Sequence, residues 1–521
     1  MRRSRTLALA IAATATATLA VTQASGAVAA TLPDTTAVGA QQPLTSAEAA
    51  ALSQDANTPV IVLMRNQPAG AARNTPAATA RTNSIAGTQS PLVSELSQVH
   101  AQHVRTYKVA DAVAATVSKD EATRLAANPN VAAVIPDSLV KGAPVQTAAP
   151  TSGAQATPSD VPGTCPAPGG KPLLEPEALD VTHTDSDDPN AKTARSLGYT
   201  GAGVKVAYIA EGIDTNNPDF IRADGSHVFA DYEDFTGDGP NAPTSAGEAF
   251  LDASAIAAQG RQVYDVSNFG AHPLAGPCDV RIEGVAPGAS LYGFKVFGDT
   301  NYSTTSAILQ SIDYAVNVDH VDVINESFGF DPIPDNGSQD AVKLFNDMAV
   351  AAGTTVTVSS GDAGPTSTQG SPSTDPSVIS AGASTTFRWY SQTDYGAAST
   401  FAPNGWLNDN ISTLSSSGFN QAGRTIDLLA PGDSSFALCT PNPDLYEDCA
   451  DFNGNPSNVE RSGGTSESAP LTAGAAALVI QAYRHAHHGA SPSPAQVKQI
   501  LVSTADDLTI PGDEQGAGRL D

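Results

Sequence analysis

Basic residues are scarce in this chain. Its 521 residues carry 26 Lys and Arg against 54 Asp and Glu, a formal net charge of −28. Such a field repels phosphate backbones and excludes nucleic acid as the expected partner. Cysteine is almost missing: only Cys165, Cys278, Cys439 and Cys449 occur. They lack the paired C-x2-C spacing of a zinc site. In an oxidising compartment an even count predicts two disulfides. Of the three connectivities, Cys439–Cys449 closing a short polar loop and Cys165–Cys278 tying the start of the mature chain to an insertion are preferred. Beyond the N-terminus no run of 18 apolar residues occurs, so no membrane span is expected. With 40% hydrophobic residues, the chain still has ample material for a large core.

The few positive charges include Arg2, Arg3 and Arg5, which precede an apolar run over 7–21 and the small residues Ala27-Val28-Ala29-Ala30. This order predicts a secretory signal over 1–29 and a secreted, extracellular protein. Residues 30–57, rich in Ala, Thr and Gln, are expected to be loose. Residues 58–140 read as a small α+β unit in the order strand–helix–strand–helix–strand. A buried strand lies at 60–64, a second segment at 106–117, a helix opened by Ser118 as N-cap, and a strand closing at 131–137. Residues 141–175, rich in Ala, Pro, Thr and Gly, read as a linker. Over 176–521 the pattern alternates. Strands are expected at 204–210, 289–297, 321–327, 355–360 and 426–429, and helices at 306–316, 339–352, 466–483 and 494–503. That alternation predicts an α/β fold, a doubly wound and mostly parallel sheet with helices on both faces.

The most informative string is Gly464-Thr465-Ser466-Glu467-Ser468-Ala469-Pro470. Two glycines and a threonine deliver a serine hydroxyl to the start of a helix rich in small apolar residues. Such a helix end offers free N–H groups that can hold an oxyanion. Read alone, Gly-Thr-Ser is more often an ordinary serine N-cap.

The longer string resembles the nucleophile motif of the subtilisin–sedolisin clan of serine peptidases. The resemblance extends over about 195–521. Gly212-Ile213-Asp214 with Pro218-Asp219-Phe220, then Gly284-Val285-Ala286-Pro287-Gly288, Asn325-Glu326-Ser327-Phe328-Gly329, Leu429-Ala430-Pro431-Gly432 and Gly516-Ala517-Gly518 all carry it. It implies the subtilisin-like fold, a peptide or protein substrate, and a substrate-pairing strand at Ser327, Phe328 and Gly329. Residues 58–140 resemble the inhibitory prosegment of subtilisin-like proteases, which implies a zymogen whose own prosegment is an intramolecular inhibitor.

The subtilisin triad is not there. Where that family carries its aspartate stands Ala210, and where it carries its histidine stands Phe269. Asp362, in Ser360-Gly361-Asp362-Ala363-Gly364, replaces the oxyanion asparagine. Instead, Gly247-Glu248-Ala249-Phe250-Leu251-Asp252 sets two carboxyls four residues apart, on one face of a helix. Taken alone, that pair also fits a solvated acidic face. The string resembles the sedolisins, the serine-carboxyl peptidases. The resemblance implies Ser466 as nucleophile, Glu248 as base, Asp252 as its support, and a protonated Asp362 donating to the oxyanion at acidic pH. Glu211 is a candidate extension of this carboxyl network, and His272 a competing base. The chemistry requires no cofactor and no catalytic metal. Asp507 and Asp521 are candidates for a calcium site such as sedolisins have. The chain stops where relatives continue into a helix, so a C-terminal truncation is expected. The competing reading is an inactive subtilase scaffold that binds peptides or proteins.

Overall fold

A computed structural model describes residues 43–142, 163–271, 273–329, 339–393 and 408–521. The expected signal segment and His272 lie outside these residues. The first layer is a four-stranded antiparallel sheet, in the order Gln102–Thr106, Ala112–Val117, Thr58–Met64, Val131–Pro136. Helices Pro76–Gln98 and Lys119–Ala126 complete a β-α-β-β-α-β unit. The single segment expected over 106–117 is therefore two strands. The chain turns between them, where the N–H of Tyr107 donates to the carbonyl of Ala112 (3.2 Å). Part of 30–57, expected to be loose, is ordered: Ser46–Leu52 is a helix closed by a Thr45/Glu48 capping box.

The second sheet has seven strands, in the order Leu428–Ala430, Ile379–Ala383, Thr355–Ser359, Val323–Glu326, Lys205–Ala210, Ser290–Lys295, Phe229–Asp234. Every neighbouring pair is parallel. The strand Lys205–Ala210 shows why both faces must be covered. Val206, Tyr208 and Ala210 enter one apolar cluster and Ala207 and Ile209 enter the other, as the two-residue period of a strand requires. The first face is covered by helices Glu248–Ala257 and Thr465–Ala486, the second by Thr305–Tyr314 and Gln339–Ala351. On that second side the small sheet packs through Ile61, Tyr107, Val109 and Ala112, in one cluster with Ile308, Ile312 and Phe345.

From Lys205–Ala210 the chain runs to the edge strand Phe229–Asp234, fills the gap with Ser290–Lys295, then crosses to Val323–Glu326 and builds stepwise to the other edge. The carboxyl ends of these two adjacent strands form the switch point at which open α/β sheets place their sites. Both preferred disulfides, Cys165–Cys278 and Cys439–Cys449, are formed. No helix among the described residues is long and apolar enough to cross a membrane.

Candidate active site

Ser466 sits in the first turn of helix Thr465–Ala486 and is 6% exposed. The turn before it needs glycine. Gly464 has φ 90°, and a Cβ there would stand 2.6 Å from Oδ2 of Asp362. Pro470, inside the helix, has no N–H to give to the carbonyl of Ser466. That freed carbonyl is taken by the hydroxyl of Ser327, which donates to it at 3.0 Å. The Ser466 hydroxyl in turn points toward the carbonyl of Ser327, at 3.5 Å.

Helix Glu248–Ala257 is buried along its whole length, and its four-residue spacing turns Glu248 and Asp252 to the same side. Oδ1 of Asp252 accepts from Ser327 Oγ (2.7 Å) and Asn325 Nδ2 (3.0 Å). Asn325 is held by Thr357, whose hydroxyl donates to its amide oxygen at 3.1 Å. Both oxygens of Glu248, Oδ2 of Asp252 and Oε2 of Glu211 are buried without a hydrogen-bond partner. Burial and the neighbouring Asp252 and Glu211 push the Glu248 carboxyl well above the usual range. The Ser466 hydroxyl beside it acts in the opposite direction, although no hydrogen bond joins them. Burial raises Asp252 as well, against the stabilising bonds from Ser327 and Asn325. Glu211, at the end of strand Lys205–Ala210, is raised to about 7 by burial, with the Ala249 N–H acting in the opposite direction. Helix Glu248–Ala257 has no side-chain cap hydrogen bond.

Asp362 reaches the same helix end as Ser466. Its Oδ1 accepts from the N–H and the hydroxyl of Thr465, at 2.9 and 2.8 Å. The sheet strand leading to Ser327, Phe328 and Gly329 stops at Glu326; beyond it the Ser327 hydroxyl contacts Asp252, and Phe328 packs in the core against Phe297 (5.9 Å). Gly329 is exposed and lies close to the Ser371 carbonyl. Phe269 packs in the core against Phe436 (5.2 Å), and Ala210 is buried beside Glu211. Asp507 and Asp521 are engaged apart: Asp507 accepts from Thr509 N–H and Gln515 Nε2, and Asp521 contacts His183. Among the described residues, the one set close enough to share a cation is Cys439, Cys449 and Glu460, and its cysteines are joined in a disulfide.

Two features carried no sequence signal. Glu460, 4% exposed on strand Val459–Gly463, presents its carboxyl to Gly247, at the start of the Glu248 helix. Burial and the charge of Glu211 raise it well above the carboxylate range. The second is a strand, Leu139–Lys141, which pairs antiparallel with Tyr302–Thr304 and leads the small sheet's chain to Gly142, next to Glu211.

Residues 201–518 match the model of the Subtilase family. The chain belongs to the subtilase family. Residues 59–143 of this subtilase match a second family, Peptidase inhibitor I9. It is 30% identical to subtilisin E of Bacillus subtilis (strain 168) over 324 residues, which are 60% of this chain and 64% of that protein. It therefore spans less than two thirds of the length of that relative. The minor extracellular protease Vpr of the same organism is 34% identical over 198 residues, covering 37% of this subtilase and 22% of Vpr. Fervidolysin from Fervidobacterium pennivorans, a keratinolytic enzyme related to subtilisin, superposes with a TM-score of 0.57 at 17% identity. The match covers 89% of this subtilase and 60% of fervidolysin, and shows the shared fold.

Proposed function

We propose that this subtilase is a secreted serine-type endopeptidase, made as a zymogen, whose hydrolytic site is Ser466 with the carboxyl pair Glu248 and Asp252. The observation that carries this reading is the buried Glu248 carboxyl beside Ser466, with Asp252 below it fixed by Ser327 and Asn325. In this reading Ser466 Oγ attacks the peptide carbonyl as its proton passes to Glu248. Glu248 then returns the proton to the departing amine. Asp252 shares a proton with Glu248, and the two titrate as a pair. The Ser466 N–H at the helix start and the protonated Oδ2 of Asp362 stabilise the oxyanion. Asp362 must be protonated for this, so the optimum lies below neutral pH. Segments 1–29 and 58–140 act as signal and inhibitory prosegment. The match to an inhibitor family and the strand Leu139–Lys141 beside the site support the second assignment.

Fluorophosphonate labelling across pH tests the proposal. Ser466 should label best in acid, and Glu248→Ala should abolish both labelling and peptide hydrolysis. An alkaline optimum, or full activity in Glu248→Ala, rejects it. One observation favours the competing reading as a peptide-binding scaffold: no hydrogen bond joins Ser466 to Glu248. That reading requires peptide binding with no labelling at any pH.

A further inference from the structure

Burial alternates along the segment that approaches the site. Leu139 is 72% exposed, Val140 1% exposed, Lys141 exposed and Gly142 buried. This is the period of a strand lying on a surface, and the pairing partner is Tyr302–Thr304, with Val140 opposite Ser303. Val140 enters the apolar cluster that contains Phe297, Ile308 and Phe328. Gly142 is held at both its backbone groups by Asn301. Its N–H donates to the Asn301 carbonyl (3.0 Å), and its carbonyl accepts from Asn301 Nδ2 (3.4 Å).

That grip leaves no room for a side chain. A Cβ on Gly142 would stand 2.0 Å from Asn301 Oδ1 and 3.1 Å from Glu211 Oε1. Making room means moving both side chains. Turning the Asn301 amide away breaks its bond to Gly142, and Glu211 is 1% exposed, packed in the interior.

We propose that Asn301 and Glu211 form a glycine-selecting subsite. The peptides this site takes then carry, in order, a buried aliphatic residue, a solvent-facing residue, and glycine, laid as a strand on Tyr302–Thr304. The chain's own Val140-Lys141-Gly142 is one such sequence. The proposal rests on the peptidase reading of the site. The selection is steric, by a backbone clamp and a fixed carboxyl, so a single methyl group is enough to disrupt docking.

Two measurements test it. In the first, the processed protein is offered peptides that differ only in Val-Lys-Gly against Val-Lys-Ala. The alanine peptide should lose about 30-fold in kcat/KM. Asn301→Gly, which keeps the positive φ of that position, should bring the two peptides within about 3-fold of each other. Equal turnover of both peptides by the unmodified protein overturns the proposal. The second needs no turnover. In the full chain with Ser466→Ala, adding Gly142→Ala should speed amide exchange across 139–142 by about 10-fold or more, and Asn301→Gly should restore protection. Unchanged protection in Gly142→Ala overturns the subsite. If exchange behaves as expected but no peptide is cleaved, the peptidase reading fails and the glycine subsite stands.

Discussion

The hydroxyl of Ser327 lies 2.7 Å from Oδ1 of Asp252 and 3.0 Å from the backbone carbonyl of Ser466, so its single hydrogen is shared between the two acceptors. One side chain thus couples the Asp252 carboxyl to the turn that carries Ser466, the proposed nucleophile. Ser327→Ala should leave Asp252 with Asn325 alone on Oδ1. Ser327 holds the Asp252 carboxyl down, so its loss raises the proton affinity of the pair. The acid limb of the kcat/KM profile should move to higher pH. A profile unchanged in position would show that Ser327 acts only in packing.

Glu248→Gln preserves size and removes the proposed base. Its kcat/KM should fall by about 10²- to 10⁴-fold, with no loss of folded protein, because an amide costs less to bury than a carboxylate. Circular dichroism and single-turnover hydrolysis at the same pH separate the two effects.

Buried acids set the pH dependence of stability. Burial raises Glu326 from 4.5 to about 8, and Glu175 to about 7. Glu460 and Glu467 are also raised by burial. A group whose pKa is higher folded than unfolded binds protons more tightly in the folded state. Its stabilising contribution is complete below the unfolded value and declines as pH rises toward the folded one. The melting temperature should therefore fall steadily between about pH 4.5 and pH 8. Glu326→Gln keeps an oxygen to accept from Asn346 Nδ2. It should gain on the order of 1–3 kcal/mol at pH 8 and little at pH 4.5, measured by denaturant unfolding at both values.

The small sheet is fastened to the large domain at a helix start. Asp137 accepts from the N–H of Ser306 (2.8 Å) and from its hydroxyl (2.6 Å), at the first turn of Thr305–Tyr314. Asp137→Ala should cost about 1 kcal/mol, as loss of a capping carboxylate does. Amide exchange at Ser306 should quicken about fivefold in the full chain.

The parts of the site that one local segment determines were legible in the sequence. Glu248 and Asp252 lie four apart on one helix, and Ser466 follows its own glycine turn, so their spacing carried their geometry. Asn325, Asn301 and Glu460 were opaque as partners because topology alone brings them together. Asn325 lies 73 residues from Asp252, and Glu460 reaches Gly247 from a polar hairpin strand. The bond from Ser327 to the Ser466 carbonyl was opaque for the same reason: the carbonyl that Pro470 frees is visible only once the helix is built. In the fold, continuous apolar strands such as Lys205–Ala210 could be read directly. The strand Ile379–Ala383, composed mainly of small residues, and the acidic edge strand Phe229–Asp234 could not, because neither has the apolar run of a buried strand nor strict alternation.

The disulfide Cys165–Cys278 makes a break in the chain one-sided. Cys278 is fully buried beside strand Asp279–Ile282. If the backbone is cut anywhere between Gly142 and Cys165, the downstream end stays on a covalent leash to the large domain. The upstream end is kept only by contacts such as Asp137–Ser306 and Arg73–Asp322. A reducing agent would free only the downstream end, whereas the upstream end, held without a covalent bond, would respond to dilution. In the proposed zymogen, release of the small sheet is thus a question of concentration, while the new terminus beside Cys165 stays tethered.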